Sequence, residues 1–397
     1  MMKLSVLSLA LAAVAAPAVA VVGMDAKSGG AANTGIASGD FTRAPLNPAL
    51  LTKFKDSDDL YLRLGAGVLA KEYEDALDQV DATQDAIDAF EAKIDAMDPA
   101  NPPTQADADA LIKELQALDD TTLVGEANVD FGVYVPSKSL GFGVTIGGYV
   151  VANGDFNYDD ADGQLVNDAL TSGVFDPDNL KSEGIAHAVA VSELALSFAH
   201  QANLPRVGDI AFGLAAKYQR FDSYLYTANI NNYDNDDYFD DQYMNDKTAF
   251  NMDLGIYKPY GNWSFALVAR NLIKQSIKNI DGDKVSLDPT VAGAVAWSQG
   301  MFTGTMELDL IEDESFVVEG DAPQLLLARQ YARAGMEVDF SHLQLRAGYQ
   351  TDLSGNYGDL LTVGLGISPW DTISLDLAGQ FGDDDERGAM LQLGVKL

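Results

Sequence analysis

Toward its C-terminus the chain keeps a two-residue rhythm. Leu343, Leu345, Ala347 and Tyr349 alternate with Gln344, Arg346, Gly348 and Gln350. Ile373, Leu375, Leu377, Gly379 and Phe381 alternate with Ser374, Asp376, Ala378 and Gln380. Leu391, Leu393, Val395 and Leu397 alternate with Gln392, Gly394 and Lys396. A period of two sends successive side chains to opposite faces of an extended strand, so each segment predicts one apolar and one polar face. Ser341-His342 and Ser368-Pro369-Trp370-Asp371 read as tight turns, and Leu353 to Gly358 and Gly382 to Gly388 as longer polar loops.

The rhythm extends upstream. Leu60, Leu62, Leu64, Ala66 and Val68 oppose Tyr61 and Arg63 in a first strand over 59–70. Further strands are predicted from Leu123, from Leu140, over 184–200 and 210–221, from Phe250, from Trp263, over 289–297, from Phe302, and up to Phe340. One stretch breaks the pattern. Tyr73, Leu77, Val80, Ile87, Phe90, Ile94 and Met97 recur at three-to-four spacing, then Pro102 and Pro103 intervene, and Ala108, Leu111, Ile112, Leu115 and Leu118 follow. This predicts a helical hairpin inserted at 71–120 between the first two strands. The acidic stretch 153–182, the Asn/Asp/Tyr-rich stretch up to Asp246, and the segments 279–286 and 311–322 read as long loops.

The count comes to about fourteen strands, and short turns alternate with long loops from end to end, as in antiparallel barrels that cross a membrane. A β-sandwich gives similar alternation within a strand but has no reason to keep that phase between connections. No run of about 18 apolar residues follows the N-terminus, so a spanning helix is not predicted, and a closed barrel is the other way to satisfy every backbone polar group in lipid. The expected fold is therefore all-β: an antiparallel transmembrane β-barrel of about 14 strands with an N-terminal plug and a helical hairpin. A soluble periplasmic β-protein is the competing reading.

The N-terminus adds an address. Lys3, an apolar run from Leu4 to Ala16 and Ala18-Val19-Ala20 predict a secretory signal peptide over 1–20. A Gly/Ala/Asn-rich plug segment is expected over 21–56 and the barrel over 57–397. Sixty acidic against 25 basic residues leave a net charge of −35, which argues against direct contact with nucleic acid. The acid concentrates in the expected loops, either as a solvated surface or as a divalent-cation site. Asp234-Asn235-Asp236-Asp237 offers oxygens for calcium but lacks the glycine and distal glutamate of an EF-hand. The chain has no cysteine, which excludes disulfides and thiol chemistry.

If the apolar face meets lipid, the polar face lines a lumen. That face carries Arg63, Glu126, Asp130, Glu193, Lys217, Asp253, Arg270, Glu307, Asp309, Arg329, Arg333, Glu337, Asp339, Arg346 and Asp376. Both signs are present, so a salt-bridged interior and a selective solute path are both open. Glu307 and Asp309 lie on one strand face at a spacing compatible with acid–base work, but His187, His200 and His342 are scattered and no hydrolase, zinc-peptidase or phosphate-loop motif occurs. No enzyme activity, metal or cofactor is expected.

The Gly-rich leader, then Gly35-Ile36-Ala37-Ser38 and Asn47-Pro48-Ala49, resembles the N-terminal plug of FadL-like outer-membrane transporters. Val191 to Ala199, Lys217 to Asp222, Asn251 to Gly255, Leu267 to Leu272, Leu345 to Tyr349 and Gly364 to Pro369 resemble more specifically the TraF-type conjugal transfer proteins. The resemblance covers essentially the whole chain after residue 20. One departure is Leu397, where such barrels usually end in Phe or Trp. The resemblance implies a Gram-negative outer-membrane location and lipid contact. It further implies passive passage of a small or hydrophobic solute, or an accessory role with envelope or transfer-apparatus proteins. The alternative is a structural or adhesive surface protein acting through its acidic loops and helical hairpin.

Overall fold

The computed structural model describes residues 25–71, 73–96, 98, 100–119, 122–229, 241–370, 372–383 and 386–397. The expected signal peptide and the Asp234–Asp237 loop lie outside the described residues. Seventeen strands are described: β1 (Tyr61–Lys71), β2 (Thr122–Val135), β3 (Gly141–Asn157), β4 (Glu183–Leu204), β5 (Gly208–Asn229), β6 (Met244–Tyr260), β7 (Trp263–Arg270), β8 (Gln275–Lys278), β9 (Lys284–Leu287), β10 (Thr290–Gln299), β11 (Phe302–Asp309), β12 (Val318–Glu319), β13 (Tyr331–Asp339), β14 (Leu343–Asp352), β15 (Leu360–Ile367), β16 (Ile373–Gly382) and β17 (Arg387–Lys396). Fourteen of them form one closed antiparallel barrel, which β1 seals by pairing with β17. The other three, β12, β9 and β8, make a separate small sheet.

The two-residue rhythm sets the wall. On β6, Phe250, Met252 and Leu254 are exposed outward, while Asn251 and Asp253 are buried inward. Exposed Leu64, Phe131, Ile146, Leu196, Phe265, Leu345, Leu377 and Leu393 continue the outward apolar surface around the barrel. Only a hydrocarbon surround makes such a surface favourable. No helix among the described residues is long and apolar enough to cross a membrane. The short connections gather at one end, where Asp59 and Leu60 donate their N–H groups to the Leu397 carbonyl. By the rule for outer-membrane barrels this is the periplasmic end.

The wall is uneven in height. Strands β4 and β5 have 22 residues each, and β3 and β6 have 17, whereas β7 and β15 have 8. Above the low side the chain turns inward. The small sheet, with Phe316, Leu325 and Leu326, packs against Val151, Val189, Val191 and Phe221 on the inner face of the tall strands. This apolar roof fills the outer part of the lumen. The segments expected as loops over 279–286 and 311–322 supply it. The first is a hairpin turned by Asn279, whose side-chain oxygen accepts from Asp281 and Asp283, and by Gly282 at φ +98°.

Beside the rim stands a helical unit. Helix α1 (Ala26–Gly29) belongs to the plug; α2 (Tyr73–Ala96) and α3 (Gln105–Leu118) form the hairpin, and α4 (Asp160–Ser172) joins them. Ile87, Phe90, Ile94, Leu111, Leu115, Val166, Ala169 and Phe175 share one core. The stretch expected as an acidic loop over 153–182 therefore holds a helix. Asp159 caps its start by accepting from Ala161 N, and Gly173 ends it at φ 69°. Its apolar stripe is too sparse among Asp and Asn residues to stand out in the sequence.

Candidate functional site

The lumen is shaped by the plug. Residues 25–52 form only short helical turns, because Gly, Ala and Asn favour local side-chain caps over long helices. Asp25 caps α1 through Lys27 N, Asp40 caps a turn over Phe41–Arg43 through Thr42 N, and Asn47 caps a turn over Pro48–Thr52 through Ala49 N. Ile36, Phe41, Leu50 and Leu51 are buried.

The wall receives this segment on inward glycines. A Cβ on Gly213 would stand 2.1 Å from Ala49 N, one on Gly348 2.4 Å from Ala32 N, and one on Gly335 2.5 Å from the Ala31 carbonyl oxygen. Contacts under 3.0 Å are excluded for real side chains, so glycine is what lets backbone touch backbone here. Polar wall residues then satisfy the plug's backbone. Ser264 Oγ donates to the Ala37 carbonyl at 2.9 Å, Arg270 Nη2 donates to the Leu46 carbonyl at 2.8 Å, and Glu307 Oε2 accepts from Gly35 N at 3.2 Å. The Asn47 side chain, on the Asn47-Pro48-Ala49 stretch singled out above, donates to the Ile36 carbonyl at 3.0 Å and the Ile256 carbonyl at 3.3 Å. Arg43 meets Glu337 at 3.3 Å and Lys27 faces Asp376 at 3.9 Å.

Apart from Arg270 and Glu307, which hold plug backbone, most charged residues on the inner face are paired. Arg63 meets Asp130 at 2.8 Å. Lys217 lies 2.7 Å from Asp253 and 3.3 Å from Glu193, and all three are nearly without solvent exposure. Arg333 forms two hydrogen bonds with Asp309, at 2.7 and 3.0 Å. Arg346 bridges Glu337 at 2.6 Å and Asp376 at 2.7 Å. Arg329 sits before β13 rather than on a barrel strand, and reaches Asp313 at 3.3 Å and Glu126 at 3.9 Å. Asp339 lies at the periplasmic end, where it caps the turn at Ser341. Sequence alone places most of these side chains on one face, but not with their partners. It also misses Lys27 and Arg43, whose ion pairs join the plug to the wall.

Two cavities flank this interior. A periplasmic vestibule of about 580 Å³ is lined by Lys27, Asp40, Lys53, Tyr61, Glu337 and Asp376, among others. A mouth pocket of about 360 Å³ at the opposite rim is lined by Leu69, Val124, Leu325, Leu326, Leu327 and Tyr331, among others. It opens beside the apolar roof. No cluster of His, Asp or Glu suited to a metal occurs among the described residues.

The family model described as "F plasmid transfer operon, TraF, protein" matches residues 44–309, from the end of the plug through β11. The chain belongs to this TraF family. No curated protein sequence matches this TraF-family chain.

Several solved structures share its fold. The Pseudomonas putida toluene transporter TodX is 11% identical, with a TM-score of 0.55 over 95% of this chain and 99% of TodX. The Ralstonia pickettii toluene transporter TbuX is 9% identical, with a TM-score of 0.55 over 94% and 98% of the two chains. A Pseudomonas aeruginosa FadL homologue is 11% identical, with a TM-score of 0.51 over 96% and 99%. At these identities the likeness is one of fold: the FadL-like outer-membrane barrel. This bears out the TraF-type and FadL-like resemblance and the expected fourteen-stranded barrel.

Proposed function

We propose that this TraF-family barrel passes a hydrophobic small molecule across the outer membrane, with residues 25–52 as the gate. The observation that carries this is the apolar side of the mouth pocket, where Leu69 and Val124 face Leu325 and Leu326 of the roof, with Lys71, Glu126, Asp155 and Glu386 also in the lining. A greasy solute gains roughly 25 cal/mol for each Å² of apolar surface it hides there. The ion-paired interior supports a tight resting state, and Arg43–Glu337 and Lys27–Asp376 are the contacts that plug movement would have to break. The neighbours of similar fold include toluene transporters. The expected leader over 1–20 would export the chain.

Toluene uptake by cells carrying or lacking the protein tests the reading. Faster uptake with the protein, lost in Val124→Asp, supports it. Equal uptake in both strains, with folded barrel confirmed by heat-modifiable mobility, overturns it.

A second reading is favoured by the helical unit, which has its own core and stands outside the lumen. In this reading it engages an envelope or transfer-apparatus protein, or another surface. The transfer role itself rests on the family's name. Removing residues 72–119 and finding partner binding or transfer lost, with toluene uptake intact, would favour this role over passage.

A further inference from the structure

Among the described residues, eight of the thirteen buried side-chain atoms without a hydrogen-bond partner lie along one seam of the barrel wall, and a ninth, Asp25 Oδ2, lies in the plug. The seam follows β1, β2, β16 and β17, and the strand register orders it. Below Leu69 and Glu126, which line the mouth pocket, Asn128 stands opposite Gly67, and neither its amide oxygen nor its amide nitrogen has a partner. One step further down, Asp130 and Gln392 flank Gly65, each with one unpartnered oxygen. Next comes Arg63, whose Nε and Nη1 have no hydrogen-bond partner. In the same register Asp376 stands beside Gln392 and Ser374 beside Gly394, level with Gly65 and Arg63, and both line the vestibule.

Such atoms are costly to leave dry. An unsatisfied buried donor or acceptor costs about 1–3 kcal/mol, and charged groups cost more. Arg63, Asn128, Asp130 and Gln392 are each at most 4% exposed, so bulk solvent does not satisfy them. Here donors and acceptors lie side by side in register; Gly67 faces Asn128 with no side chain of its own, and Gly65 lets Asp130 Oδ1 approach within 2.6 Å of where a Cβ would stand. A hydrated file matches this arrangement; an apolar ligand does not. The interior face of β4 to β6 around Lys217 differs, because Lys217, Glu193, Asp253, Gln219 and Asn251 satisfy one another.

We infer that the seam between β1, β2 and β17 is a hydrated conduit joining the mouth pocket to the periplasmic vestibule past the seated plug, open to water and small inorganic ions. From Leu69 to Tyr61 the conduit spans eight residues of β1, about 26 Å of strand. It shares the mouth pocket with the proposed hydrophobic passage, leaves it along β1, and does not require the plug to move.

The test is conductance in planar bilayers bathed in potassium chloride. The folded wild-type barrel should show a small, steady conductance. Asn128→Leu and Gly67→Leu each place apolar atoms in the file and should lower it by about tenfold or more, as hydrophobic constrictions do by dewetting. Both variants should retain heat-modifiable mobility and toluene uptake, which separates this inference from the passage proposed above. A silent wild-type barrel, or conductance unchanged in both folded variants, overturns the conduit. Should Gly67→Leu fail to fold, Asn128→Leu decides alone, since it exchanges an unpartnered amide for a side chain of similar size.

Discussion

Asn47 Oδ1 sits 2.0 Å from the point where a Cβ on Gly255 would stand. The same side chain caps the turn over Pro48–Thr52 and donates to the carbonyl of Ile256, the next residue along the wall. Plug and barrel are thus keyed to each other at one glycine. Gly255→Val should cost about 1–3 kcal/mol by overpacking and expose residues 25–52 to protease. Urea titration in detergent and limited proteolysis read the two effects. Wild-type midpoint and wild-type resistance would show that the plug does not depend on this seat.

Lys217 lies between Asp253 and Glu193 with none of the three open to solvent. Removing the cation strands two buried carboxylates. Lys217→Met should therefore destabilise the barrel by about 3–5 kcal/mol. The triple variant Lys217→Met, Glu193→Gln, Asp253→Asn should regain most of that loss. Unfolding midpoints of the two variants, compared in the same detergent, check both statements.

Leu254 faces outward and is 46% exposed, on the same strand as inward Asp253. In a bilayer, Leu254→Arg should cost about 2–4 kcal/mol if it lies near the midplane, less toward either interface. Refolding into vesicles measures this. A neutral result would remove lipid from that face.

In the helical unit, Thr104 begins α3 and donates its N–H and Oγ to Asp107, which also pairs with Lys93 of α2. The hydrogen bonds from Lys93 and Thr104 lower the Asp107 pKa to about 2. Because the folded value lies below the unfolded one, this carboxylate stabilises the unit fully above about pH 4 and progressively less as pH falls through about 2. Amide protection along α3, taken relative to the intrinsic exchange rate at each pH, should fall over that window in the wild type. Asp107→Asn should flatten the dependence; an unchanged profile would count against the linkage.

Much of the barrel was legible because lipid and lumen impose opposite chemistry on alternate residues. Leu391, Leu393 and Val395 against Gln392 and Gly394 leave little ambiguity. The signal fails where both faces of a strand are covered. Val150 and Val151, or Ala188 and Val189, are buried on opposite sides of the tall strands, so the two-residue contrast vanishes there. The small sheet is hidden from the sequence because β8 and β9 have four residues each and β12 only two, too few to establish a two-residue rhythm. Pairing inside the lumen was equally hidden. That Arg346 faces Glu337 and Asp376 follows from register across β13 to β16, which a linear pattern does not encode.

Strand β5 runs unbroken from the cell exterior to the plug. Near its upper end Asn229 donates its side-chain N–H to the Leu180 carbonyl of the helical unit; lower down Phe221 joins the roof, and lower still Gly213 meets Ala49. At roughly 3.3 Å per residue its 22 residues reach about 70 Å, well beyond the approximately 25 Å hydrocarbon band. It is a mast stepped in the membrane. A pull applied to the helices outside would run along this one strand to the seat of the plug.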